Sequence, residues 1–69
     1  MSDLDARLLA AHGRDDRRAL IALYEEAADT ATSEVATGFY LTHAFVFALE
    51  AGDPRADALK ARLRAMGRI

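Results

Sequence analysis

Two histidines and two tyrosines are the side chains of this 69-residue chain best suited to chemistry near neutral pH. His43 lies one helical turn from both Phe39 and Phe47, so the imidazole would have an aromatic surround. Tyr24 and Tyr40 could form a small pocket with His43, because pockets in helical bundles lie between facing helices and use few polar groups. The alternative is that both tyrosines lie in a core or an interface and that the histidine is partly buried there. The sequence leaves both interpretations open.

Other arrangements for catalysis or metal binding are missing from the sequence. Ser2 and Ser33 occupy positions typical of helix caps, and no third group completes a nucleophilic triad with a histidine. His43 and Glu50 are seven residues apart, about 10 Å along a helix, which is too far to share one metal ion. Cysteine is absent, and no glycine-rich phosphate loop or His-Glu-x-x-His run occurs. We therefore expect no catalytic residues, no metal, no cofactor and a non-enzymatic protein.

The length and composition indicate a single small globular domain, residues 1–69, with 52% hydrophobic and 29% charged residues. Domains of this size often depend on disulfides, metals or oligomerisation, and without cysteine we expect oligomerisation. Charged residues lie where the apolar core of a secretory signal would be, which favours a cytoplasmic location. The apolar segment 35–51 contains polar residues and is too short to span a bilayer comfortably, so we expect no membrane span.

Charge is unevenly distributed: residues 1–54 carry 4 basic and 10 acidic side chains, whereas 55–69 carry 5 basic and 1 acidic. The two parts therefore have net charges of about −6 and +4, which could steer a partner or pair two protomers head to tail. Alternatively, the cations only complement the dipole of the last helix. The acidic total and the absence of a helix-turn-helix pattern or interleaved aromatics argue against nucleic-acid binding.

Hydrophobic spacing predicts an all-α fold, a small antiparallel bundle of four helices over about 3–12, 15–29, 33–51 and 54–66. Ser2 begins a capping box with Asp5, and Gly13 fits a left-handed end for the first helix. Gly52 fits the left-handed end of the third helix, Asp53 the next N-cap, and Pro54 the first position of the fourth helix.

The junction between the second and third helices has the weakest signal, because residues 29–34 contain no glycine or proline. A continuous helix over 15–51 would be about three times the mean length in globular proteins. The hydroxyl side chains in this segment can also cap a new helix. We therefore predict a break here.

The segment from Leu41 to Pro54 resembles the second helix of a tetratricopeptide-type repeat. In this resemblance Leu41, Phe45 and Ala48 correspond to packing residues and Pro54 to the closing proline. The resemblance covers residues 14–54 and implies helix-repeat packing and a role in protein interaction. Repeat arrays need about three units, and this chain has room for one and a half. No peptide-binding residue carries over.

The third helix has apolar side chains around nearly its whole circumference, so it must be covered on several sides. We expect Leu41, Phe45 and Leu49 to pack on the second and fourth helices. The surplus that the rest of the chain cannot obviously cover is Phe39, Tyr40, His43, Val46 and Phe47. This surplus predicts an interface, with a second copy in a homodimer or with a partner protein. The alternative function is a small-molecule-binding protein or minor enzyme that uses the pocket at Tyr24, Tyr40 and His43.

Overall fold

Four helices form the protein, whose computed structural model describes residues 2–69. They are α1 (Asp3–Gly13), α2 (Arg17–Thr30), α3 (Glu34–Ala51) and α4 (Arg55–Ala65), and no strand occurs among these residues. The predicted all-α class and the number of helices are confirmed. No helix within 2–69 combines the length and apolar character needed to cross a bilayer.

The helices lie side by side, each packed on its neighbours in sequence, with the α2–α3 contact the most extensive. The Cα atoms span 31 × 29 × 11 Å. Two stacked layers of helices, with axes 8–10 Å apart, would need about 13–15 Å between outermost Cα atoms. The chain is therefore flatter than two full layers. Helix α1 packs on α2, α2 on α3 and α3 on α4, and α4 also comes close enough to α2 for Arg62 to bond Asp29.

Short side chains that cap the helices set most of the boundaries. Ser2 Oγ accepts a hydrogen bond from the Asp5 amide at 3.2 Å, at the start of α1. Ser33 Oγ accepts one from the Ala36 amide at 3.1 Å, at the start of α3. Each bond satisfies an amide that has no partner within its helix. The predicted break between the second and third helices is confirmed, since α2 ends at Thr30.

The turn from α3 to α4 follows the predicted pattern at Gly52, but α4 begins one residue later than predicted, with Pro54 as its N-cap instead of its first residue. Gly52 has φ of +63°, the left-handed conformation in which glycine has no steric penalty. Asp53 Oδ1 then accepts a hydrogen bond from the Arg55 amide at 2.9 Å, and Pro54 occupies the cap position before the first residue of α4.

The predicted end of the first helix is wrong. Gly13 is still helical, and the positive φ in this turn, +53°, belongs to Asp15. Aspartate tolerates this conformation better than most residues because its short polar side chain can bond locally. The second helix consequently begins at Arg17 instead of residue 15, with the Asp16 carboxylate accepting the Ala19 amide at 3.1 Å.

Buried side chains form two clusters, one joining α2, α3 and α4 and the other joining α1 and α2. The first contains Ile21, Ala28, Leu41, Ala44, Ala48, Leu59 and Leu63, and the second Ala11, Leu20 and Leu23. Tyr24 and Phe47 are partly buried and pack against both clusters. These two rings therefore connect the two halves of the core.

The predicted core position of Leu49 is wrong, because its side chain is 59% exposed. Each step of four residues turns a side chain about 40° around a helix, so Leu49 lies about 80° from the buried Leu41. Phe45, one step from Leu41, is half buried. The row Leu41, Phe45, Leu49 thus rotates out of the core.

Candidate functional site

The outer side of α3 carries a row of exposed side chains, here called the α3 stripe: Val35, Phe39, Thr42, Val46 and Leu49. The four apolar members are strongly exposed: Val35 72%, Phe39 57%, Val46 45% and Leu49 59%. Among residues 2–69, the remaining strongly exposed large apolar side chains are Leu9 and Ile69. The spacing of 4, 3, 4 and 3 residues places the stripe on one face of the helix, as in the seam of a coiled coil.

Two alanines lie on the side of α3 opposite the stripe, and Gly38 lies at the edge of the stripe. Ala44 and Ala48 are completely buried and let α3 approach its neighbours closely. Gly38 is buried against the guanidinium of Arg68, and a Cβ atom at Gly38 would lie 2.8 Å from Arg68 Cζ. Because neighbouring helices cover the Ala44 and Ala48 side, the stripe is the side of α3 that stays exposed.

The apolar area of the stripe is on the order of 400 Å², within the range of the largest patches on monomeric proteins, which are often functional. Glutamates lie at its two ends, and the guanidinium of Arg68 lies along one edge, against Gly38. Glu34 begins α3, and Glu50 follows the last stripe residue, where it accepts a hydrogen bond from Arg17 Nε at 3.3 Å. The stripe side chains themselves are uncharged and suited to contact with another apolar surface.

Six rings form a connected group beside the stripe, here called the aromatic cluster: His12, Tyr24, Phe39, Tyr40, His43 and Phe47. Phe39 and His43 meet edge to face, with ring centroids 4.5 Å apart. His43 in turn stacks on Tyr24 at 5.1 Å. The cluster links α1, α2 and α3, and it joins the stripe at Phe39.

A hydrogen bond within the cluster connects His12 and Tyr24, whose Nε2 and hydroxyl oxygen are 2.9 Å apart. Burial raises the pKa of the Tyr24 hydroxyl above its usual value, and the nearby Tyr40 adds to this effect. The phenol therefore keeps its proton at neutral pH and is a poor base. The contact of His12 with Tyr24 joins residues twelve apart in the sequence and could not be derived from local spacing.

The sequence-predicted pocket residues Tyr24, Tyr40 and His43 do lie together. The ring centroid of Tyr24 lies 6.3 Å from that of Tyr40 and 5.1 Å from that of His43. A surface cavity of about 330 Å³ contacts Tyr40 on the side facing Ser2 and Leu4, and neither Tyr24 nor His43 is among the residues that line it. Within residues 2–69, no three acidic or histidine side chains are arranged to hold a metal ion.

The predicted interface residues divide into two groups. Phe39 and Val46 belong to the exposed stripe, whereas Tyr40, His43 and Phe47 are half buried. Val35 and Leu49 are stripe residues that the sequence reasoning missed. The 4-3-4-3 spacing was the signal that could have identified them, since it is a coiled-coil pattern two heptads long.

Comparison with protein families, with curated proteins and with solved structures gave no match for this chain. The tetratricopeptide-like resemblance therefore stays a prediction.

Proposed function

We propose that this chain is a non-enzymatic interaction protein that self-associates, or docks to a partner protein, through the α3 stripe. The single observation that supports this proposal is the row of four exposed apolar side chains on α3, which contains one polar residue, Thr42. Removing such a surface from water is favourable by about 25 cal/mol per Å², which drives association of exposed apolar patches. The cytoplasmic location and the helix-repeat character expected from the sequence belong to the same proposal.

The size of the stripe indicates a weak and reversible contact. A standard stable interface buries about 800 Å² on each partner, roughly twice the apolar area available here. The half-buried rings of the aromatic cluster can add contact area at the rim. We therefore expect association that depends on concentration in the micromolar range and not an obligate complex.

A matched pair of variants tests the proposal. Phe39 and Leu9 are 57% and 62% exposed, but only Phe39 belongs to the stripe. Phe39→Asp places a charge in the proposed contact, whereas Leu9→Asp places the same charge on α1. We expect sedimentation equilibrium to give a monomer for Phe39→Asp and unchanged association for Leu9→Asp, with both variants helical by circular dichroism. Equal loss of association in the two variants would overturn the proposed surface.

The second candidate function is a small-molecule site at Tyr24, Tyr40 and His43. It is favoured by one observation, that the rings of Tyr24, Tyr40 and His43 lie together in the aromatic cluster; the cavity of about 330 Å³ beside Tyr40 is lined by neither of the other two. A thermal-shift screen against metabolites tests it, because a ligand that binds only the folded chain raises the melting temperature. A hit that persists in Tyr40→Ala would place the ligand elsewhere.

A further inference from the structure

We propose that a cavity between the start of α3 and the end of α4, here called the α3–α4 cavity, binds a free amino acid with an apolar side chain. The cavity has a volume of about 480 Å³, within the range of small-molecule sites. None of the five residues of the α3 stripe lines it. The inference therefore goes beyond the proposed function and does not depend on it.

Apolar side chains from α3, α4 and the α2–α3 turn form one part of the cavity wall. Leu41 lies at the bottom and is 1% exposed, Met66 is half buried, and Ala31 and Ala65 complete this part. An aliphatic side chain placed against these residues leaves water, which favours binding. This part of the cavity therefore fits the side chain of an apolar amino acid.

Two opposite charges line the same cavity, Arg62 from α4 and Glu34 from α3. Arg62 Nη2 donates a hydrogen bond to the Asp29 carboxylate at 2.9 Å, which holds the guanidinium in place and leaves its other donors for a ligand. The Glu34 carboxylate takes part in no ion pair among residues 2–69. Arg68 lies near Glu34, but its Nη2 donates to the main-chain oxygen of Glu34 at 3.5 Å.

A cation and an anion beside one apolar surface fit a ligand that carries both charges. The ligand carboxylate pairs with the planar fork of Arg62, and the ligand ammonium pairs with Glu34. Thr37 also lines the cavity, and because its hydroxyl donates to the Ser33 carbonyl at 2.9 Å, its oxygen remains free to accept a bond from the ammonium. Glu34 repels a ligand with negative charge alone, and Arg62 repels one with positive charge alone. An apolar α-amino acid meets all of these requirements.

NMR titration with leucine and two of its derivatives tests the ligand class. Leucinamide lacks the carboxylate, and N-acetylleucine lacks the ammonium. We expect leucine to shift the amide resonances of Thr37, Leu41 and Met66 with a Kd on the order of 1 mM. Each derivative should bind about tenfold more weakly, because it loses one hydrogen-bonded charge pair. Equal binding of either derivative would overturn a free amino acid as the ligand, and equal binding of N-acetylleucine would indicate a peptide carboxyl terminus instead.

A matched pair of arginine variants tests the role of Arg62. Arg64 lies two residues away on α4, is exposed and does not line the cavity. We expect Arg62→Gln to bind leucine about tenfold more weakly and to lose the preference for leucine over leucinamide, whereas Arg64→Gln binds like the natural chain. Asp29→Asn breaks the same ion pair as Arg62→Gln but keeps the guanidinium, so it should retain the preference. Equal weakening in Arg62→Gln and Arg64→Gln would overturn the assignment of Arg62.

Glu34→Gln provides a test of opposite sign for the two charges. The variant should bind leucine more weakly, because the ammonium loses its partner, and N-acetylleucine more tightly, because repulsion of the carboxylate is removed. The absence of any shift with leucine up to about 20 mM, or shifts confined to residues outside the cavity, would overturn the site. Phe39→Asp should bind leucine like the natural chain, so the outcome for this cavity is separate from the outcome for the α3 stripe.

Discussion

Two phenylalanines on α3 show how position decides the role of one residue type. Phe47 is half buried, stacks on Tyr24 at 5.8 Å and meets His12 at 5.9 Å, so it helps to hold the two core clusters together. Phe39 lies eight residues earlier and is 57% exposed. Phe47 is therefore chiefly structural, whereas Phe39 is available to a second chain.

Aspartate substitution separates these roles. We expect Phe47→Asp to lower the free energy of unfolding by more than about 2 kcal/mol, because it removes packing and places a carboxylate among rings. Phe39→Asp should change it by about 0.5 kcal/mol or less, as an exposed substitution usually does. Urea denaturation at low protein concentration, where association does not contribute, measures both. Equal destabilisation would show that Phe39 is also a core residue.

The Asp53 carboxylate is held by Arg55, whose side chain and backbone amide both donate hydrogen bonds to it. The side-chain bond is the larger cause, and together they lower the pKa of Asp53 from 3.8 to about 2. Since the folded pKa lies below the unfolded value, this group stabilises the fold fully above about pH 4. Its contribution is lost as the pH falls towards 2.

We therefore expect the free energy of unfolding to decrease between pH 4 and pH 2, and to decrease less in Asp53→Asn. Asp16 and Glu26 also have lowered pKa values, through the Ala19 amide and Arg7 respectively, so the variant keeps part of the dependence. Urea denaturation at pH 5, 3 and 2 measures the difference. An identical pH dependence in the variant and the natural chain would contradict this account of Asp53.

At the scale of the helices, the sequence predicts boundaries well where the signal is local. Ser33 and Gly52 act through bonds or conformations within a few residues, and both predictions are confirmed. The α1–α2 turn was predicted less well because either Gly13 or Asp15 can adopt a left-handed conformation. In the structure Asp15 has the positive φ, and the Asp16 amide donates to the carbonyl of the buried Ala11 at 3.0 Å, so the turn is tied to the packing of α1 on α2.

Two glycine-to-alanine variants test which of these glycines is left-handed, because the expected changes in stability have opposite signs. Gly52 has φ of +63°, so Gly52→Ala should destabilise the fold by about 1 kcal/mol. Gly13 is helical, and a Cβ atom there would meet nothing within 4 Å, so Gly13→Ala should stabilise by about 0.5–1 kcal/mol. Thermal unfolding measures both. Destabilisation by Gly13→Ala would mean that the first turn is assigned wrongly.

The interaction surface could be predicted from the sequence only in part. The apolar circumference of α3 shows that more surface exists than one short chain can cover. Which side stays uncovered depends on where α2 and α4 pack, and that is a property of the tertiary fold. For this reason Leu49 was assigned to the core and Phe47 to the surplus, whereas the structure exposes the first and half buries the second.

At the scale of the whole molecule, the uneven charge is partly neutralised within the chain. Arg62 of the basic α4 donates to Asp29 of α2 at 2.9 Å, and Arg55 lies 4.0 Å from Glu25. Such exposed ion pairs add little stability, but they help to orient α4 along α2. The charge asymmetry therefore has a role inside the monomer, which leaves the apolar stripe as the stronger candidate for contact between chains.

Sedimentation equilibrium of the natural chain from about 1 to 500 μM tests the central claim most directly. The account predicts that the weight-average mass rises with concentration from the monomer value of 7.5 kDa towards twice that value and then levels off. A mass that stays at 7.5 kDa over the whole range would contradict self-association through the α3 stripe.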